Sequence, residues 1–215
     1  MSLFITFEGI EGSGKTTQLG HLTSYLADRK RPYLVTREPG GTEIGEQIRQ
    51  ILLSSASAGM EGMAELFLYL AARVQHFRQV IAPALREGKI VLCDRFFDAT
   101  VAYQGYGRGL SLEWLEDLHR RALEGVKPDL TFLLDLPVEE GLKRAWKRME
   151  EKAGPEDRFE KEPLDFHRRV REGYLALARK EPGRVIRLDG TKSEGVLQRE
   201  VIARFSRTLE AEHVI

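Results

Sequence analysis

Leu3-Phe4-Ile5-Thr6-Phe7-Glu8-Gly9-Ile10-Glu11-Gly12-Ser13-Gly14-Lys15-Thr16-Thr17 runs from a β-rich apolar segment through a glycine-spaced loop into a stretch of helical period. Gly9 to Thr16 satisfies the pattern Gly, four residues, Gly, Lys, Ser/Thr, and it lies where that pattern has meaning, between a strand and a helix. Glycines let the backbone curl so that successive N–H groups point inward. With the helix N-terminus they cradle a polyphosphate. In such a loop Lys15 reaches the β- and γ-phosphates of a nucleotide, and the Thr16 hydroxyl takes a place on Mg2+.

Outward from the loop, short apolar runs alternate with longer segments of helical period. Strands are expected at Leu3 to Glu8, Tyr33 to Thr36, Ile90 to Cys93, Leu130 to Asp135 and Arg184 to Leu188. Helices are expected to begin near Lys15, Glu43, Glu61, Leu112, Val138, Pro163 and Ser193. Unbroken apolar runs such as Ile90-Val91-Leu92-Cys93 suit strands covered on both faces. The alternation builds βαβ units, so the expectation is one α/β domain over residues 1–215. It should hold a parallel sheet of about five strands with helices on both faces. Pro83 should kink or end the third helix. Glu150 to Pro163, dense in charge and holding Gly154, Pro155 and Pro163, reads as a mobile surface segment.

An acid at the end of a nearby strand is the usual companion of such a loop. Asp94 closes the run from Ile90, where it either holds Mg2+, directly or through water, or caps the segment that follows, the role assumed for Asp135. Arg95 comes next, at the carboxyl end of the strand, where ligands gather in open α/β sheets. It is placed to clamp a phosphate with two parallel N–H bonds.

The 33 Lys+Arg balance the 33 Asp+Glu, which leaves no net field to hold a nucleic acid or an anionic membrane. Any phosphate must be bound locally. No apolar run approaches about twenty residues, and Met1-Ser2-Leu3-Phe4 lacks the order of a signal peptide. One cysteine, Cys93, excludes an intrachain disulfide and fits a reducing compartment. A cytoplasmic protein with Cys93 as a small core residue is expected.

Such loops serve GTPases, motors, transport ATPases and small-molecule kinases. A switch GTPase would carry Asn-Lys-x-Asp late in the chain, and the nearest string, Thr191-Lys192-Ser193-Glu194, lacks both its Asn and its Asp. The remaining motifs look like a second, anion-binding site. Thr36-Arg37-Glu38-Pro39-Gly40-Gly41-Thr42 follows the second strand and enters a helix containing Arg49. Tyr69 and Arg73, four residues apart, share a helical face and can stack on a base and bond its edge, or else be packing and a solvated charge.

Taken together, Phe7-Glu8-Gly9 running into Glu11 to Thr17, then Thr36 to Gly41, Ala71-Ala72-Arg73, Cys93-Asp94-Arg95 and Ala102-Tyr103-Gln104-Gly105 resemble the ordered motifs of thymidylate kinases. Pro128-Asp129-Leu130-Thr131, Asp157-Arg158-Phe159-Glu160 and Asp165-Phe166-His167 extend the likeness. The resemblance implies a P-loop kinase fold with a mobile lid near residues 144–162, ATP as phosphoryl donor, Mg2+, dTMP as acceptor and a homodimer packed through first-half helices, including Glu61 to Arg86. It implies that Arg37 and Arg95 grip the dTMP phosphate with Arg49 nearby. Arg73 would bond thymine at O4, Thr100 and Gln104 would address N3, and Tyr103 would lie against the deoxyribose. That family usually has Phe where this chain has Tyr69. Tyr69 is expected to stack on the base, with Phe67 two residues out of register.

The loop's variable positions, Ile10, Glu11, Gly12 and Ser13, hold no arginine, so the chain resembles the bacterial type whose catalytic arginine is in the lid. Arg144, Arg148 and Arg158 are the candidates. Arg148 and Arg158 are assigned to the transferring group and Arg144 to the ATP side. Glu11 would hold the acceptor side, toward the sugar 3′-hydroxyl or a lid residue, and not as a general base. Two other readings stand beside this one. A different nucleoside monophosphate kinase would keep Lys15, Asp94 and Arg95 but change Arg73, Thr100 and Gln104; a noncatalytic nucleotide binder would take ATP without acceptor-dependent turnover.

Overall fold

A computed structural model describes residues 2–151 and 158–211. β1 (Leu3–Glu8) lies in the middle of a five-stranded sheet, in the order β2 (Tyr33–Arg37), β3 (Ile90–Asp94), β1, β4 (Leu130–Asp135), β5 (Val185–Asp189). All four pairings are parallel. The expected fold class is therefore the observed one.

Burial on both faces follows from the two-residue period of a strand. Leu3, Ile5 and Phe7 of β1 join Leu92, Phe132 and Leu188 on one face, under Leu19, Leu22 and Leu26 of α1 (Lys15–Asp28) and Leu197, Val201 and Phe205 of α9 (Glu194–Ala211). Phe4, Val91, Cys93 and Leu133 face the other way, toward Phe77, Ile81, Phe96 and Phe97, and toward Val170, Tyr174 and Leu177 of α8 (Leu164–Lys180). Cys93 is thus a fully buried core residue, as expected.

The remaining helices are α2 (Glu43–Leu53), α3 (Gly62–His76), α4 (Ala82–Arg86), α5 (Phe97–Thr100), α6 (Leu112–Ala122) and α7 (Val138–Glu151). Thr42 and Ser111 start α2 and α6 by accepting from the Gly45 and Trp114 N–H groups at 2.9 and 3.3 Å. Among the described residues no helix is long and apolar enough to cross a membrane.

Several expectations are corrected. The helical course does not end at Pro83: it passes through a π-turn, Phe77–Ile81, into α4, whose first turn holds Pro83. Proline lacks an N–H and crowds the carbonyl four residues back, and the wider turn before it accommodates both. A second π-turn, Val101–Gly107, follows α5 in a region where no helix was expected. β2 and β3 each run one residue further than expected, and β5 starts at Val185, after Arg184. Arg184 turns inward instead, and its Nη1 and Nη2 donate to the two carboxylate oxygens of Asp98 at 2.7 and 2.8 Å. Asp135 does not cap the segment after β4; its carboxylate accepts from Arg171 at 2.7 Å and from Arg187 at 2.7 Å. The segment read as surface, Glu150 to Pro163, contributes Arg158 and Phe159 to the interior, where Phe159 meets the rings of Tyr69, Tyr103 and Phe166. Gly154, Pro155 and Asp157 lie outside the described residues.

Asp98 and Arg184 form a buried ion pair, shared with Thr131, between the sheet and the layer above it. Removing one partner strands the other charge. Asp98→Ala is expected to cost about 3–5 kcal/mol in urea unfolding, whereas a loss below about 1 kcal/mol would show that Arg184 relaxes to solvent.

Candidate active site

The phosphate-binding loop is shaped by what surrounds it. Gly9 has φ 140° and a side chain there would meet the Leu134 carbonyl oxygen at 2.4 Å; Gly12 has φ 69° and would meet the Gly141 carbonyl oxygen at 2.0 Å. Both positions are closed to L side chains twice over, by conformation and by space. Gly14, also left-handed, leads into α1. The Lys15 ammonium closes the loop on itself, donating to the Gly9 and Ile10 carbonyl oxygens at 3.0 and 2.9 Å and to Ser13 Oγ at 3.3 Å. Burial, aided by the Arg95 charge, lowers its pKa to about 8, against the pull of Asp94, Glu11 and Glu8.

The parallel register of β1 and β3 places Phe7 beside Asp94. The loop after β1 and the Asp94-Arg95 pair therefore share one end of the sheet. Thr16 Oγ1 donates to Asp94 Oδ2 at 2.8 Å. These two hard oxygens beside the loop suit a small divalent cation that fills its other positions with phosphate oxygens and water. Among the described residues no group of three or more His, Cys, Asp or Glu could hold a metal.

Arg95 has φ 69°, an unusual conformation for a residue with a side chain, and its N–H is held by the Phe7 carbonyl oxygen at 3.0 Å. Its guanidinium donates to the Tyr174 hydroxyl at 3.0 Å and to Glu11 Oε1 at 3.1 Å, above the Tyr103 ring. Tyr103 also donates to Glu11 Oε1. For Glu11, burial would raise the carboxyl, but His167, Arg95, Lys15 and Tyr103 together hold it well below the usual carboxylate range. Glu8 accepts from the Phe96 N–H at 2.7 Å and from Tyr174 at 2.8 Å. Burial, reinforced by Asp98, pushes its carboxyl up to about 8 despite Arg95 and these two donors.

Arg73 is buried in a network of its own. Nε donates to Glu38 Oε2 at 2.5 Å, Nη1 to Thr100 Oγ1 at 2.9 Å and to His119 Nε2 at 2.7 Å, and Nη2 to the Phe96 carbonyl at 3.2 Å. Burial, with the Arg73 charge, lowers His119 to about 3, so the ring is neutral and accepts the proton of Arg73. Glu38 also meets His76 Nδ1 at 3.0 Å, and His76 Nε2 lies 2.6 Å from Thr36 Oγ1. Among the described residues Arg73 keeps one Nη2 proton without a protein partner.

A single cleft of about 1250 Å³ runs past all of this, larger than the range usual for one small ligand. Every expected site residue lines it except Gly9, Ile10 and Arg144. Lys15, Thr16, Thr17 and Asp94 form one part; Arg37, Arg49, Tyr69, Arg73, Arg95, Thr100, Tyr103 and Gln104 form another; Arg148 and Arg158 also border it. Arg144 packs beside Gly12 and donates to the Gly190 carbonyl at 3.2 Å. Tyr69 lines the cleft, whereas Phe67 is half exposed and lies edge-on to Trp114. Arg37 is held by Glu46 at 2.8 Å, and Arg49 donates to the Pro39 carbonyl at 3.0 Å. The expectation that Arg158 acts on the transferring group does not fit its position: it is buried and donates to the Leu52 carbonyl at 3.0 Å and to Glu65 at 2.6 Å. Arg148 on α7 remains exposed at the cleft. Glu65, His76, Arg108, His119 and Tyr174, which hold the lining residues, were not anticipated. Only Glu65 carried a sequence signal, since Glu65, Tyr69 and Arg73 fall four apart on one helical face.

The family model described as thymidylate kinase matches residues 7–201. The chain is 55% identical over 190 residues to the thymidylate kinase of Trichlorobacter lovleyi, covering 88% of this chain and 90% of that one. It is 51% identical over 211 residues to the thymidylate kinase of Geotalea uraniireducens, covering 96% and 99%. The crystal structure of thymidylate kinase from Ehrlichia chaffeensis superposes with a TM-score of 0.76 at 36% identity, over 95% of this chain and 98% of that one.

The lowered Lys15 pKa has a measurable consequence. The free loop loses its ammonium as pH rises past about 8, so affinity for a nucleoside triphosphate should fall above that pH, approaching tenfold per unit. Titration of binding between pH 6.5 and 9.5 checks this. Lys15→Arg, which stays charged, should bind with a flat profile; the same fall in Lys15→Arg would assign the titration to another group, such as Glu8.

Proposed function

This chain belongs to the thymidylate kinase family and converts ATP and dTMP to ADP and dTDP, a step toward dTTP; from that premise we propose how its residues divide the work. The observation that carries the assignment is the single cleft, lined at one part by the loop from Glu11 to Thr17 and at another by Arg37, Arg49, Arg73, Arg95 and the Tyr69 ring. Phosphoryl transfer asks the protein mainly for positioning and charge neutralisation. Lys15 and the loop N–H groups from Gly9 to Thr17 bind the ATP phosphates, with Arg144 on the nucleotide side. Thr16 and Asp94 would hold Mg2+, which would supply positive charge to neutralise the nucleotide phosphates.

On the acceptor side Arg95 and Arg37 bind the dTMP phosphate, with Arg49 supporting. Tyr69 stacks on thymine, Arg73 gives its remaining proton to O4, and Thr100 and Gln104 meet N3. Tyr103 closes the sugar face and Glu11 orients Arg95 and Tyr103 around the acceptor. A dTMP phosphate oxygen attacks the γ-phosphorus in line as the bond to the β-phosphate oxygen breaks, with no covalent enzyme intermediate. Arg148 neutralises the group in transit. Arg158 anchors the segment that carries Phe159 and Glu160 to the cleft. The whole chain acts as one catalytic domain with its lid near residues 144–162, of which 152–157 lie outside the described residues.

The enzyme is also proposed to be a cytoplasmic homodimer. Ile44 and Ile51 of α2 and Met63 and Phe67 of α3 are exposed apolar side chains on first-half helices, which supports an interface there.

ADP production from Mg-ATP with dTMP, dUMP, dGMP, dCMP, AMP or UMP tests this division. Stimulation by dTMP above the rest is expected. Lys15→Ala should lose at least about 100-fold in kcat, and Arg148→Ala should lower kcat with KM nearly unchanged. Arg73→Ala should raise the KM for dTMP, and Arg158→Ala should lower the melting temperature more than kcat. Preference for another monophosphate would overturn the base contacts, and no stimulation at all would overturn the assigned activity.

A further inference from the structure

Gln104 and the residues behind it carry information about base choice. Gln104 is buried in the π-turn after α5, and its Nε2 donates to Glu65 Oε1 at 2.8 Å. Glu65 is fully buried on α3. Its two oxygens also accept from Arg108 Nε and Nη2 at 3.2 and 3.0 Å and from Arg158 Nη2 at 2.6 Å. Arg108 in turn reaches Glu162 at 2.6 Å. A carboxylate held by two guanidiniums presents only acceptors to a neighbouring amide. The amide must therefore turn its NH2 group toward Glu65. Reversal would set its oxygen against the carboxylate and leave two buried acceptors facing each other. Gln104 also lines the cleft, and among the described residues its oxygen has no protein partner.

We propose that Glu65, which touches no substrate, is the positioning residue that fixes the Gln104 amide with its oxygen toward the base, and so makes the site select pyrimidines that carry a proton on N3. This rests on the reading of Gln104 as a base contact. Thymine and uracil offer N3–H to that oxygen and a carbonyl at C4 to Arg73. Cytosine offers a lone pair at N3 and an amine at C4, so both contacts become repulsive or unpaired. The selection is a difference in affinity achieved by a group behind the contact. Because Glu65, Tyr69 and Arg73 lie on one face of α3, the group that orients the amide, the stacking ring and the O4 donor are positioned by a single helix.

Equilibrium binding of dTMP, dUMP and dCMP to the full chain, measured by calorimetry or competition, tests this with Glu65→Gln, Glu65→Asp and Gln104→Met. An amide at position 65 offers a donor as readily as an acceptor, so Gln104 is free to reverse. The preference for dTMP over dCMP should fall about tenfold or more in Glu65→Gln, while the ratio of dTMP to dUMP, which share N3–H, stays as in the wild type. Glu65→Asp keeps the charge for Arg108 and Arg158 but draws the acceptor back from Gln104. It should shift the same ratio in the same direction, and it decides the matter should Glu65→Gln fail to fold. A Glu65 that only supports the fold would weaken all three nucleotides alike, and that result would overturn the inference. Gln104→Met should also lose the dCMP discrimination; an unchanged ratio there would overturn the base contact itself, and a changed ratio there with none in either Glu65 variant would overturn the inference alone.

Discussion

The parallel register between β1 and β3 is the constraint on which the site depends. Phe7 beside Asp94 brings two chain ends to the same edge of the sheet, and the residues that follow have nowhere else to go. After β1 the chain must curl, because Gly9 and Gly12 lie against the carbonyls of Leu134 and Gly141. After β3 the Arg95 backbone is tied to Phe7 in a left-handed conformation. A slip of one residue would invert the faces of β1, taking Leu3, Ile5 and Phe7 out of the core beneath α1 and α9. Burial of the sheet thus fixes the separation between Lys15 and Arg95 at that edge. Lys15 and Arg95 meet across Glu11, which compensates both.

Charge is handled throughout by local matching. The chain carries equal numbers of acids and bases, and four buried or partly buried arginines each face a named acid: Arg73 with Glu38, Arg95 with Glu11, Arg158 with Glu65 and Arg184 with Asp98. Such pairs recover much of the cost of taking charges out of water, and they hold each guanidinium in one orientation. The site can then present fixed cations to phosphates without reorganising when the nucleotides arrive. Arg148, exposed at the cleft, differs from these and suits a group that acts only once both nucleotides are bound.

Most of the fold was legible because it rests on local pattern. Five apolar runs became the five strands, and the loop from Gly9 to Thr16 formed where its glycines require it. The failures have local causes as well. Arg184 looked like the start of β5 by adjacency, but a buried Asp98 far along the chain claimed it. Pro83 was read as kinking or ending the helix; the course does not end there but passes through a π-turn into α4. In the site, many of the lining residues fell inside contiguous motifs, and Tyr69 lines the cleft where Phe67 does not. The groups behind them, such as His76, Arg108 and Tyr174, were invisible because their partners lie 38 or more residues away and only the fold brings them together. Arg158 was misplaced for the same reason: a charge in a mixed run gives no sign that Glu65 waits for it.

The central claim is that donor and acceptor meet in one cleft and exchange the phosphoryl group directly. Transfer from ATP made chiral at the γ-phosphorus with oxygen isotopes tests it without altering the protein. A single in-line displacement inverts configuration at phosphorus, so dTDP with inverted configuration is expected. Retention would require two displacements through a phosphorylated enzyme, and would contradict the account.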